Sequence, residues 1–185
     1  MTNKHFYSWN DIENMCLTIT NQMYKERWLP DYIVGITRGG NVPATIISNM
    51  LNVPCETLKV SLRDDSKLES NTWMSADAFG SNTGDKVKGS RWDPALRKNI
   101  LIVDDINDTG ATFNWIVNDW QQSYFPNEEG PWNTVWGKNV KFAVLTDNLA
   151  SKFEMCVNYC CHNINKNEKD VWLVYPWENV GQYNE

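Results

Sequence analysis

The sequence predicts an α/β fold, with a central, mainly parallel sheet flanked by helices. Residues 32–37, 100–105 and 141–146 are short runs almost continuous in apolar side chains, as expected of strands buried on both faces. Between them lie segments whose apolar residues recur every three or four positions, the spacing of helices packed along one side. The run beginning at Ile100 ends abruptly in Asp104 and Asp105, which brings charge to the edge of a sheet.

Residues 8–28 read as an amphipathic helix with Ile12, Met15, Cys16, Ile19 and Met23 on one side, and Ser8 and Asp11 form a capping pair at its start. Pro30 and Asp31 end it. A strand at 32–37 leads into Arg38, Gly39 and Gly40. A second helix, over 42–51, presents Ile46, Ile47, Met50 and Leu51, and Asn52 to Pro54 close it. Residues 56–62 form the next strand. From 63 to 98 the periodicity dissolves among Asp, Ser, Asn and Gly, so this stretch is expected to be a lid or binding loop. After the strand at 100–105, residues 111–124 read as a helix bearing Phe113, Ile116, Val117 and Trp120. A polar, Trp-rich excursion at 125–138 precedes the strand at 141–146, and a last strand spans 171–174. With no internal repeat and no linker, the chain reads as one domain, 1–185.

The formal charge is −6 and no basic run stands out, which argues against a nucleic-acid partner. No apolar run approaches a membrane span or a leader core, so a soluble, cytoplasmic protein without a membrane partner is expected. Five irregularly spaced cysteines suit reduced thiols. Cys156, Cys160, Cys161 and His162 lack the second C-x-x-C pair of a structural zinc site. His5 and His162 have no partners for a hydrolase triad, and no P-loop pattern is present. Of the ten tryptophans, Trp73, Trp92, Trp132 and Trp136 stand in polar surroundings, where they would close a lid or form a subunit contact such as that of a homodimer.

The chemistry concentrates in residues 100–112. A buried strand delivers two carboxylates to the C-terminal edge of the sheet, where open α/β folds bind ligands. Successive strand side chains face opposite ways, so Asp104 and Asp105 would grip different parts of one ligand. Asp108, Thr109, Gly110, Ala111 and Thr112 then turn into a helix whose free amides suit a phosphate monoester. Acids beside a phosphate need a divalent cation, or hydroxyls that donate to them. A phosphorylated ribose with a Mg2+-bound diphosphate meets each demand.

This arrangement resembles the binding motif for phosphoribosyl diphosphate in the type I phosphoribosyltransferase family. Thr37-Arg38-Gly39-Gly40 resembles that family's diphosphate loop, and 63–98 falls where the family carries a flexible lid. Residues 170–178 are similar to the hood of xanthine–guanine phosphoribosyltransferases of bacteria and archaea, which would make about 147–185 a small hood over the base. The resemblance implies transfer of a phosphoribosyl group from phosphoribosyl diphosphate to a nucleobase, a purine in salvage, with Mg2+ as cofactor. It implies that Asp104 and Asp105 bind ribose hydroxyls and metal, and that Asp108 acts as general acid/base. Thr109, Gly110, Ala111 and Thr112 would hold the 5′-phosphate, and Arg38, Gly39 and Gly40 the diphosphate. Trp172 would stack on the base, and Leu173 would contact it through its main chain. Where the purine enzymes place a Lys that donates to the 6-oxo group, this sequence has Asn148; as a base-binding residue it would donate to an oxo group or equally accept from an amino group, which leaves the base open. A non-catalytic regulator of the same fold is the alternative; Asp108 and the long lid segment favour catalysis.

Overall fold

The computed structural model describes residues 3–60, 72–81, 93–123, 129–169 and 171–178. Five parallel strands form the main sheet: β2 (Tyr32–Thr37), β3 (Cys55–Lys59), β4 (Ile100–Asn107), β5 (Val140–Asn148) and β6 (Tyr159–Ile164), in the order β3-β2-β4-β5-β6. A separate parallel ribbon pairs β1 (Asn3–Phe6) with β7 (Val171–Val174).

Alternation along the strands splits the core in two. Tyr32, Val34, Ile36, Ile100 and Ile102 pack toward α3 (Thr72–Phe79) and α4 (Ala111–Ser123). Ile33, Leu101 and Val103 pack toward α1 (Trp9–Glu26) and α2 (Asn41–Leu51). α1 buries the five expected side chains, and its start carries the expected capping box, with the Asp11 amide donating to Ser8 Oγ at 3.2 Å and the Ser8 amide to Asp11 Oδ2 at 2.7 Å.

The helices after β2 and β4 cover opposite faces of the sheet, while β2 and β4 are neighbours. The chain therefore reverses its winding there. That opens a crevice outside the C-terminal ends of these two strands, between the turn at 38–40 and the start of α4.

Two expectations need correction, and one strand, β1, has no counterpart in the sequence reading. The stretch 63–98 is not loop throughout: α3 lies within it and buries Met74, Ala78 and Phe79 in the core, and a 3-10 turn forms at Pro94–Leu96. A short helix with small residues gives little periodicity, which hid it. Residues 61–71 and 82–92, and Trp92 with them, lie outside the described residues. Trp132 and Trp136 are not surface residues: they are 0% and 7% exposed, stacked at 5.4 Å, and packed on Phe79 and Phe142. The short helix α5 (Glu129–Trp132) delivers Trp132 to that site. Finally, β1 has no apolar pattern and forms as a partner for β7, whose amides and carbonyls need one.

Candidate active site at the sheet edge

β4 ends inside the crevice. Residues 104–110, with Thr112 and Phe113, border a cavity of about 240 Å³. Asp105, on the α2 face, packs against Gly39 so closely that a Cβ there would lie 1.8 Å from Asp105 Oδ2. A Cβ on Gly40 would meet the Val103 carbonyl oxygen at 2.4 Å. The turn at 38–40 thus lies directly on the end of β4, joining the two glycine-bearing motifs in one site. Arg38 at its head is exposed, and the Thr37–Arg38 peptide is cis.

Both carboxylates line the cavity, although they leave the strand on different faces. Burial and the charge of Asp105 push the proton affinity of Asp104 well above the usual carboxylate range, and burial raises that of Asp105, opposed by the Ile106 amide donating at 2.8 Å. Neither has a cationic partner within 4 Å among the described residues. Two partly buried carboxylates without a cationic partner, at an open cavity, fit a divalent cation or a sugar diol.

Gly110 adopts φ +85°, and the chain at Lys152 and Phe153 backs onto it, with Phe153 N 2.2 Å from where a Cβ would stand. Lys152 N donates to the Thr109 carbonyl at 3.0 Å, and Asn114 brackets the same loop through the Lys152 carbonyl and the Glu154 amide. The amides of Thr112 and Phe113, at the start of α4, have no acceptor among the described residues. The helix start is braced from behind and open in front, which suits a phosphate.

The family described as the phosphoribosyl transferase domain matches residues 3–175. The chain belongs to this family. A hypoxanthine-guanine phosphoribosyltransferase of Schizosaccharomyces pombe is 29% identical over 192 residues, covering 94% of this chain and 88% of that protein. Xanthine phosphoribosyltransferase 1 of Saccharomyces cerevisiae is 24% identical over 194 residues, covering 94% and 88%. Among solved structures, a purine phosphoribosyltransferase from Pyrococcus horikoshii aligns with a TM-score of 0.61 at 20% identity, covering 99% of both chains.

In this phosphoribosyltransferase, the segment expected to form the hood contributes β7 to the β1–β7 ribbon. Trp172 is 59% exposed, and Leu173 packs partly onto the α1 side of the core. Tyr175 ties the chain after β7 to the sheet: its buried hydroxyl donates to the Asp105 carbonyl oxygen at 3.2 Å and lies 3.3 Å from Thr146 Oγ1. Asn148 differs from expectation. It is 6% exposed, and its Nδ2 donates to the Asp108 carbonyl at 2.9 Å and to Asp108 Oδ1 at 3.3 Å. Its Oδ1 accepts from the amides of Ala150 and Lys166, both at 3.1 Å. Both the donor and the acceptor atoms of Asn148 are thus engaged by neighbouring protein groups. Sequence reasoning missed Lys166, whose Nζ lies 2.8 Å from Asp108 Oδ1. It sits in a polar turn, and only strand order brings it there.

The chain contains no helix among the described residues long and apolar enough to cross a membrane.

Proposed function

We propose that this phosphoribosyltransferase moves the phosphoribosyl group of phosphoribosyl diphosphate onto a 6-oxopurine base, in nucleotide salvage. The observation that carries the proposal is the single cavity joining Asp104 and Asp105 to the open start of α4. The names of the relatives, which act on hypoxanthine, guanine or xanthine, support the choice of base.

In this reading a base nitrogen bonds to ribose C1, the C1–oxygen bond to diphosphate breaks, and the base gives up its proton. The α4 amides with Thr109 and Thr112 hold the 5′-phosphate. The turn at Arg38, Gly39 and Gly40 receives the diphosphate. Asp104 and Asp105 accept from the ribose hydroxyls, and are the residues that would hold Mg2+. That ion would neutralise charge on the departing diphosphate. Asp108 stands at the base as proton acceptor, and Trp172 offers its exposed ring for stacking. Positioning and charge complementarity supply most of the rate, since the protein makes no covalent bond. The five cysteines, all free, suit a reducing cytoplasm.

The test is calorimetry with phosphoribosyl diphosphate and Mg2+, followed by diphosphate release with a panel of bases. Asp104→Asn with Asp105→Asn is expected to abolish donor binding. Unchanged affinity in that double variant would overturn the assignment, and no diphosphate release with any purine would overturn the activity.

A further inference from the structure

Each strand of the β1–β7 ribbon runs into a tyrosine. Tyr7 follows β1 and Tyr175 follows β7, and the Tyr7 amide donates to the Val174 carbonyl at 3.0 Å. Their rings stack at 5.4 Å, and Tyr175 stacks in turn on Trp177 at 4.9 Å. Tyr175 is buried in this stack, and its hydroxyl reaches the end of β4, donating to the Asp105 carbonyl oxygen at 3.2 Å. Thr146 Oγ1, also buried, lies 3.3 Å from the same hydroxyl. At the other end of that peptide unit, the Ile106 amide donates to Asp105 Oδ1 at 2.8 Å. One peptide is thus held by Tyr175 through its oxygen, and holds the Asp105 carboxylate through its nitrogen.

We infer that Tyr175 is a positioning residue that couples the base side of the site to the donor side by orienting the Asp105–Ile106 peptide. This rests on the transferase reading above. Trp172 and Tyr175 are three residues apart on one stretch of chain, so a base settled on Trp172 restrains the Tyr175 hydroxyl. The restraint passes to the peptide, and from its amide to the carboxylate that lines the cavity. Rotation of that peptide would release the carboxylate from the Ile106 amide and lift it from Gly39, on which it is packed. A ligand on either side therefore lowers the cost of ordering the other, and each changes the other's affinity by the same factor. Supporting contacts of this kind hold reacting groups to within fractions of an ångström. Phe in place of Tyr175 keeps the stacked ring and lacks one oxygen, so the coupling resides in a single hydrogen bond.

The experiment uses the full chain and 9-deazahypoxanthine, a base analogue in which carbon replaces the attacking nitrogen, so that no transfer occurs. The analogue is titrated by calorimetry with and without saturating phosphoribosyl diphosphate and Mg2+. In wild type the donor is expected to tighten analogue binding at least about fivefold. In Tyr175→Phe the two affinities should agree within about twofold. Thr146→Val removes the neighbouring hydroxyl and leaves the Tyr175 bond to Asp105 in place, so it should keep most of the wild-type ratio; a merely structural loosening would lower both variants alike. A thermal melt shows that each variant is folded, and the wild-type ratio stands as a test should Tyr175→Phe fail to fold. A wild-type ratio near one, no analogue binding in either state, or a Tyr175→Phe ratio equal to that of wild type overturns the inference. Diphosphate release with purines then still upholds the transferase reading. A wild-type protein that releases none removes both.

Discussion

Gly39 and Asn148 show how single side chains set this site. Gly39 exists because Asp105 occupies the space that any Cβ would need. Gly39→Ala must push the carboxylate or the turn aside, at about 1–3 kcal/mol. The expected outcome is a rise in the KM for phosphoribosyl diphosphate of roughly tenfold or more, read in initial rates, because carboxylate and turn share the donor. Asn148→Ala removes four hydrogen bonds at once. It strands two amides and should cost about 1–3 kcal/mol in urea unfolding as well as activity.

The elements around the site have their own tests. α1 is tied to β5 and β6 through Glu26, which accepts from Lys141 Nζ at 2.5 Å and from the Tyr159 hydroxyl. Lys141 is almost buried, and these hydrogen bonds hold the Glu26 carboxyl below the usual glutamate range. A lowered folded-state pKa means the stabilisation is complete above the ordinary glutamate pKa and fades as pH falls through the folded value. Glu26→Gln is therefore expected to lower stability by about 0.5–1 kcal/mol at neutral pH, a figure discounted because Glu26 is half exposed. In melts at successively lower pH, the gap from wild type should close. The hood offers a second test. Removing residues 1–6 leaves β7 without its partner strand among the described residues. KM for the base should rise roughly tenfold, equivalent to losing one or two hydrogen bonds, while donor affinity is retained.

Across the whole molecule, two cores sandwich the sheet, and one of them is built on tryptophan. Trp136 stacks on Trp132 and Phe142, and Trp120 packs against it at a tilt. Trp132→Ala should cost about 3–5 kcal/mol in denaturant unfolding, the cost of emptying a large aromatic site. A surface Trp would show almost none. The strands at Tyr32 and Ile100, the capped helix at Ser8 and the acids before Gly110 were legible because each signal is local: an apolar run, a three-to-four spacing, a turn chemistry within a few residues. α3 and the packing of Trp132 were not, because small residues carry weak periodicity and polar neighbours in sequence say little about neighbours in space. By itself, the sequence determined the α/β class and the contiguous stretch that ends β4 and opens α4. Tertiary structure alone decided that Gly39 abuts Asp105, that Asn148 is spent on its neighbours, and that Lys166 reaches Asp108. The reason is physical: contacts across adjacent parallel strand ends depend on sheet order and register, which a one-dimensional pattern of side chains does not contain.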